Sequence, residues 1–169
     1  IAFRYMTPVF VLSEGYLANG AEPWRIPDVG DLPKIEVHHE TNPDAFYPYV
    51  RDERLSRPWA LPGTPGLEHR LGGLEKQNFI GTVSYDADNH EQMTHVRADK
   101  IKGIVRDIPP LKIEGPPRGE LLVVSWGGSY GTVRTACENL RDRGVEVSNV
   151  NFRYLNPLPP NAGEVLASF

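Results

Sequence analysis

Cysteine is almost missing from this chain. Cys137 is the one thiol in 169 residues, so there is no cysteine pair for an internal disulfide, a structural zinc ion or an iron–sulfur cluster. It falls inside a helical pattern among apolar neighbours, and the nearest upstream histidine, His95, is far away in sequence. Core packing in a reducing cytoplasm is therefore the expectation for it, rather than a Cys–His nucleophile. Long apolar runs are missing too. Nothing approaches the ~18 residues of a membrane span, and no charged region precedes a long apolar one at the start of the chain. The expectation is a soluble cytoplasmic protein with no membrane partner. Basic clusters are equally scarce: the net charge is −4, the isoelectric point is about 5.7, and no Lys/Arg run exceeds two residues. That excludes the electrostatic footprint of a nucleic-acid binder.

Punctuation is abundant instead. The 16 glycines and 16 prolines make up about a fifth of the chain, well above the ordinary share. They concentrate in Pro62–Lys76, PGTPGLEHRLGGLEK, which also carries five ionisable side chains. Glycine reaches positive φ without steric cost and proline fixes φ near about −65°, so this spacing specifies a shaped loop of low entropy rather than a slack linker. The whole region from 21 to 75 is loop-dominated. Ala21–Pro33 holds three prolines around Trp24 and Arg25, and Trp24 is expected to plug into an apolar surface, with Arg25 paired to a carboxylate.

Pro8–Leu12 is a continuous apolar run that reads as a buried strand, followed by a helical turn over Glu14–Asn19. A buried strand seldom stands alone, so residues 1–20 are expected to be the tail of a domain whose body lies upstream. Ile35–Val37 offers a short strand, and a broken helical turn is expected within Asp44–Arg54. Gly81–Tyr85 pairs loosely with Arg70–Leu74 in a hairpin. His38 and His39 are adjacent and would point to opposite faces of a strand, which does not suit one metal ion. Asp86, Asp88 and Asn89 lack the glycine and the closing glutamate of a calcium loop and instead lead into a helix. That helix is expected over Asn89–Ile108, with Asp88 and Glu91 forming a capping box and Pro109–Pro110 ending it.

Beyond a Pro/Gly connection, Leu121–Trp126 reads as a strand, Ser129–Arg143 as a helix with Gly144 as its C-cap, and Val145–Phe152 as a second strand. Together they make a parallel, right-handed βαβ unit. A short helix follows the turn at Asn156–Pro160. The first turn of the unit, Trp126–Gly131, has Trp at the first glycine position of a dinucleotide fingerprint, and no acidic residue ends the second strand. Helix-on-strand packing accounts for Gly128 and Gly131, leaving Tyr130 to face a partner. No Ser-His-Asp set, G-x-S-x-G or Walker A pattern is present. The residues themselves thus describe an α/β scaffold with partner-seeking loops, and a non-catalytic interaction or assembly module is one reading of it.

Four ordered motifs carry a resemblance: TPVFVLSEGYLAN at Thr7–Asn19, EPWRIP at Glu22–Pro27, PGTPGLEHRLGGLEK at Pro62–Lys76, and NPLP at Asn156–Pro159. Across essentially its whole length the chain resembles the alpha subunits of 2-oxoacid:acceptor oxidoreductases, in particular those acting on 2-oxoglutarate with ferredoxin. The resemblance implies a C-terminal fragment of such a subunit. Residues 1–20 would be the last strand of a thiamine-diphosphate pyrimidine-binding domain. Residues 21–110 would be a loop-rich crossing ending in a long helix, and residues 111–169 a truncated domain similar to the transketolase C-terminal domain. It implies thiamine diphosphate and an iron–sulfur cluster in the full complex, with neither expected in this fragment. It also implies a beta subunit, ferredoxin, coenzyme A and a 2-oxoacid as partners. The catalytic glutamate and the substrate-binding residues of the family would lie upstream of Ile1, so no catalytic, cofactor-binding or metal-binding residue is assigned. Trp24, Arg25, Glu68, His69, Arg70, Glu75 and Lys76 are the candidates for intersubunit or coenzyme contacts.

Overall fold

A computed structural model describes residues 1–169. The chain forms two compact units, one of Ile1–Val9 with Pro27–Ile104 and the other of Phe10–Ile26 with Val105–Phe169. It is an α/β protein with a small parallel sheet. No helix is long and apolar enough to cross a membrane.

The second unit contains the βαβ motif. Strand β1 (Leu122–Trp126) lies parallel to β2 (Ser148–Phe152), in a register running from Leu122 opposite Ser148 to Trp126 opposite Phe152. Both strands are shorter than the sequence pattern suggests. Residues 145–147 precede the first residue of β2 that has a partner in β1, and without that ladder they remain irregular. On its other side β2 exchanges two backbone hydrogen bonds of 2.9 Å between Asn149 and Glu114. Flanked on both sides, β2 is buried along most of its length, whereas β1 is only partly covered. Leu111, Val150, Phe152, Ala162 and Val165 form the core, with Ile113 and Leu122 packed against it.

The crossover helix α4 (Tyr130–Asp142) buries Cys137 to 2% exposure, in keeping with a packing role for that thiol. Its end is a Schellman motif. The Gly144 N–H donates to Arg141 O at 2.9 Å and the Val145 N–H donates to Leu140 O at 3.1 Å, with Gly144 at φ 82°, where a Cβ would be strained. Helix α5 (Ala162–Leu166) closes the chain and inserts Ala162 and Val165 into the core. A short helix α2 (Gly15–Asn19) stands in this unit, matching the expected turn.

Pro8–Leu12 forms no strand. Phe10 and Val11 are 86% and 89% exposed, and the run pairs with neither strand of the sheet; an apolar run without a ladder partner stays irregular. Ile35–Val37 likewise remains irregular, with only an isolated bridge from His39 to Trp59 beside it.

The first unit is mostly loops around one helix. It begins with a four-residue helix, α1 (Ala2–Tyr5), which buries Tyr5. Trp59 donates from Nε1 to Phe3 O at 2.9 Å, with the two rings 5.9 Å apart. A single 3-10 turn, Pro43–Ala45, occupies the start of the broken helical segment. The hairpin is displaced from its expected strand. Lys76, not Arg70–Leu74, pairs with Val83, and Gln77 and Ser84 donate backbone N–H groups to Thr82 and Glu75.

Helix α3 (Ala87–Gly103) starts two residues earlier than the pattern suggests. Asp86, not Asp88, is the N-cap, and its Oδ1 accepts from the Asn89 N–H at 2.8 Å. Asp88 sits in the first turn, where its charge favours the positive end of the helix dipole. The far end tightens into a 3-10 turn over Ile104–Asp107. Pro109 disfavours the α conformation at Ile108, so the final residues change to i→i−3 bonding, as in Ile108 N–H to Val105 O.

Candidate functional site

The Gly/Pro-rich loop Pro62–Lys76 ends at a cavity in the first unit. Its volume is about 600 Å³, and it is walled by residues 72–76, the inner side of α3 and Tyr49, Arg51 and Arg57. The loop is built from successive turns. Thr64 N–H bonds Leu61 O and Leu67 N–H bonds Thr64 O, which drives Leu67 to 3% exposure. Gly72 and Gly73 follow at φ 66° and 64°, two consecutive left-handed residues that side chains would disfavour.

Lys76 holds this turn closed. Lys76 is 3% exposed, and its ammonium donates to Gly72 O at 2.7 Å and to Leu74 O. Burying an ammonium is costly unless its donors are used, and here the carbonyls of the glycine turn use them. Asn89, buried at the start of α3, fastens the next stretch. Its Oδ1 accepts from the Asn78 N–H at 2.8 Å, and its Nδ2 donates to Lys76 O at 3.2 Å.

Glu75 projects from the same turn toward α3. Its Oε2 lies 3.0 Å from His90 Nδ1 and 3.4 Å from Arg97. The hydrogen bond from His90 chiefly holds the Glu75 carboxyl below the usual carboxylate range, with Arg97 adding to the effect. Arg51 reaches across with bonds to Tyr49 O, Asn78 Oδ1 and the Met93 sulfur. Arg57 lies over the Tyr49 ring at 4.8 Å and donates to Pro48 O. Lys100 completes the wall. Burial, then repulsion from Arg51 and Arg57, pulls its ammonium down to about 8 against a weaker pull from Asp52. The cavity is thus cationic, with an apolar side made by Met93, Val96 and Ile101.

Of the residues singled out from sequence, Glu75 and Lys76 line this cavity. His69 belongs to the loop but faces Phe46, edge to face at 5.1 Å, with its Nδ1 2.8 Å from Leu67 O. Glu68 and Arg70 are exposed. Trp24, expected to plug into an apolar surface, is 85% exposed within the second unit. The prolines that break up its surroundings also leave it no neighbouring element to pack on. Arg25 is exposed beside it and makes no ion pair within the chain.

Sequence reading missed Arg51, Arg57, Arg97 and Lys100. Arg97 and Lys100 share the α3 face of Met93, Val96 and Ile101 by their three- and four-residue spacing, a signal legible in principle. Arg51 and Arg57 sit in irregular chain, where spacing carries no such information.

In the second unit the glycine turn of the βαβ motif is not an open phosphate cradle. A Cβ at Gly128 would collide with the Glu14 carboxylate, whereas one at Gly131 would meet nothing within 4 Å. Close packing therefore accounts for Gly128 and not for Gly131. Tyr130 does not project outward to a partner: its hydroxyl donates to Glu114 Oε1 at 2.8 Å. Asn149 donates to the other Glu114 oxygen at 2.8 Å, and the hydrogen bonds from Asn149 and then Tyr130 hold that carboxyl below the usual range.

No family model matches the chain. Over its full length it is 50% identical to the 2-oxoglutarate oxidoreductase subunit KorA of Mycobacterium tuberculosis, of which it covers 26%. It is also 30% identical over its full length to subunit alpha of 2-oxoacid:ferredoxin oxidoreductase 1 of Aeropyrum pernix, covering 27% of it. The chain is homologous to one stretch of the 2-oxoacid:ferredoxin oxidoreductase alpha subunit. It spans about a quarter of the length of these curated relatives. The fold agrees. A solved 2-oxoglutarate:ferredoxin oxidoreductase from Magnetococcus marinus, with 2-oxoglutarate, coenzyme A and succinyl-CoA bound, superposes with a TM-score of 0.74 at 26% identity, over 84% of this chain and 25% of that one.

The thiol content and the βαβ turn of this stretch do not fit an iron–sulfur cluster or a diphosphate. An iron–sulfur cluster takes several thiolates, and Cys137 is alone and buried. At the turn Gly127–Gly128 a diphosphate would meet the carboxylate of Glu14, a group of the same sign. No set of three or more His, Cys, Asp or Glu side chains converges to hold a metal ion.

Proposed function

We propose that this chain is a scaffold and subunit-interface stretch of a thiamine-diphosphate-dependent 2-oxoacid:ferredoxin oxidoreductase. In the whole enzyme 2-oxoglutarate, coenzyme A and oxidised ferredoxin become succinyl-CoA, carbon dioxide and reduced ferredoxin. The observation that carries this reading is the 50% identity with the KorA subunit, which extends over the entire chain and is not confined to one motif.

On this reading residues 1–20 end a pyrimidine-binding domain, residues 21–110 cross from it, and residues 111–169 begin a domain similar to the transketolase C-terminal domain. The beta subunit supplies the diphosphate site and the iron–sulfur cluster, and the complex works in the cytoplasm. When bound, the thiamine ring supplies the carbanion that lets the oxoacid lose carbon dioxide. This chain's contribution is shape. Lys76 and Asn89 hold the glycine turn and the start of α3 in one geometry, and Trp24, Arg25, Glu68, His69 and Arg70 offer exposed or half-exposed groups to a neighbouring subunit.

Co-expression of the complete gene with that of its partner subunit, assayed for viologen reduction dependent on both 2-oxoglutarate and coenzyme A, tests the reading. Activity is expected from the pair and none from the 169-residue chain alone. Failure of the pair with every 2-oxoacid tried would remove the reading, and decarboxylation by the isolated chain would remove its scaffold role.

A further inference from the structure

Asn19 is the one asparagine of the chain that precedes a glycine, and it closes the motif Thr7–Asn19. That pair has a chemistry of its own. Gly20 carries no Cβ to shield its backbone nitrogen, so the nitrogen can reach Cγ of the Asn19 side chain and close a succinimide ring. The reacting atoms belong to adjacent residues, and apart from water the reaction needs no group from elsewhere in the enzyme.

The fold holds both partners of that reaction in hydrogen bonds of α2. The Gly20 N–H donates to Tyr16 O at 2.7 Å, and Asn19 Nδ2 donates to Gly15 O at 2.7 Å. While these bonds stand, the nucleophile and the amide it would attack are each tied to a carbonyl. The helix that supplies those carbonyls is slight. It has five residues and no side-chain bond from its N-cap, Glu14, well below the ~12–15 residues at which an isolated helix becomes even marginal in water. Opening of this one turn frees both groups together.

We propose that Asn19 is a site of spontaneous deamidation gated by the opening of α2. Once the turn opens, the Gly20 nitrogen attacks Asn19 Cγ, the Cγ–Nδ2 bond breaks, and the amide group leaves as ammonia with the proton given up by Gly20. Water then opens the succinimide. Attack at Cγ leaves an aspartate, and attack at the main-chain carbonyl leaves an isoaspartate, whose backbone runs through the former side chain; no electron is transferred on either route. Both products carry a carboxylate at position 19. It cannot donate to Gly15 O, and its charge lies at the negative end of the helix dipole. Deamidation thus removes a bond that closes α2, and the change runs one way. The site does not depend on the oxidoreductase reading and is tested without turnover.

The test is timed incubation of the complete gene product in complex with its partner subunit at mildly alkaline pH. Peptide mass spectrometry reads the conversion of amide to acid at position 19, and hydrogen exchange reads the Gly20 amide in parallel. A synthetic peptide of residues 13–24, too short to hold a helix in water, gives the unprotected rate. The complex is expected to gain acid at position 19 more slowly than the peptide, by about tenfold, because α2 must open first. Gly15→Ala adds a methyl group where this chain places nothing within 4 Å, and the better helix former is expected to slow deamidation and Gly20 exchange together by about fivefold. Asn19→Gln, whose longer side chain closes a larger ring, is expected to yield no acid over the same interval.

The proposal is overturned if the complex gains no acid at position 19 within about a hundred lifetimes of the peptide reaction. It is overturned equally if the complex reacts as fast as the peptide, since α2 would then protect nothing, or if Gly15→Ala slows Gly20 exchange and leaves the rate of acid formation unchanged. Deamidation that follows Gly20 exchange in both the parent and Gly15→Ala supports it, whatever the size of the change.

Discussion

In the second unit Leu111, Val150, Phe152, Ala162 and Val165 exclude water from a two-stranded sheet. In the first unit the chain crossings are pinned by polar groups: Lys76 on Gly72 and Leu74, Asn89 on Asn78 and Lys76, and Arg51 on Tyr49 and Asn78. The difference shows two ways of holding backbone. A strand satisfies its own polar groups through a ladder, so its side chains are free to be apolar. Irregular chain has no ladder, so buried side-chain donors and acceptors must do that work.

It follows that damage should be read differently in the two units. In the second unit it should track lost apolar volume, and in the first it should track lost hydrogen bonds. Phe152→Ala is expected to have the largest effect, about 3–5 kcal/mol from transfer and cavity terms together. Hydrogen exchange of β1 and β2 would report it, and unchanged protection there would break the comparison at its strongest point.

Lys76→Met keeps the length and apolar stem of the side chain but leaves the Gly72 and Leu74 carbonyls without their donor. A loss of about 1–3 kcal/mol is expected, confined to the first unit. Faster exchange and proteolysis over residues 70–77, with the β2 amides unaffected, is the pattern to look for; a global loss of protection would show that the clamp is not local. Asp86→Ala removes the N-cap bond to Asn89 and is expected to cost about 1 kcal/mol. The fraying should appear at the first turn of α3 and reach Asn78 through Asn89.

Lys100 gives the most specific effect. Its folded pKa, about 8, lies below the ordinary lysine value of ~10.4, so between those values the unfolded chain binds more protons than the folded one. Stability of the first unit should therefore rise as pH increases from about 8 toward 10, since below that window the charged ammonium is penalised. Lys100→Gln should remove this rise while the second unit keeps its own pH profile. A parental profile that is flat over the same window would contradict the description of the cavity.

The same contrast explains what could be read in advance. The βαβ motif was legible because periodicity and the Gly144 stop signal agree with the tertiary outcome, and α3 was legible apart from its cap and its last turn, which is 3-10 rather than α-helical. Asp86 and Asp88 both lie at the start of the helix and both are plausible caps, so only backbone geometry distinguishes them. Pro8–Leu12 misled for a physical reason. An apolar run specifies burial but not which edge it pairs with, and here the run pairs with no strand. In the candidate site, Glu75 and Lys76 were marked by their place in a rigid loop, whereas Arg51 and Arg57 come to it from irregular chain.

From sequence alone came the α/β class, the loop-rich character of residues 21–75, the packing role of Cys137, and four ordered motifs of the oxidoreductase alpha subunit. Those properties depend on composition and on order along the chain. The tertiary structure decided where the charges go. It turned the Lys76 ammonium inward onto two carbonyls, paired Glu75 with Arg97, closed Tyr130 onto Glu114, and gathered Arg51, Arg57 and Lys100 around one cavity. Electrostatic energy depends on separation in space and on exclusion of water, and for residues as far apart in sequence as Arg51 and Lys100 neither exists until the chain has folded.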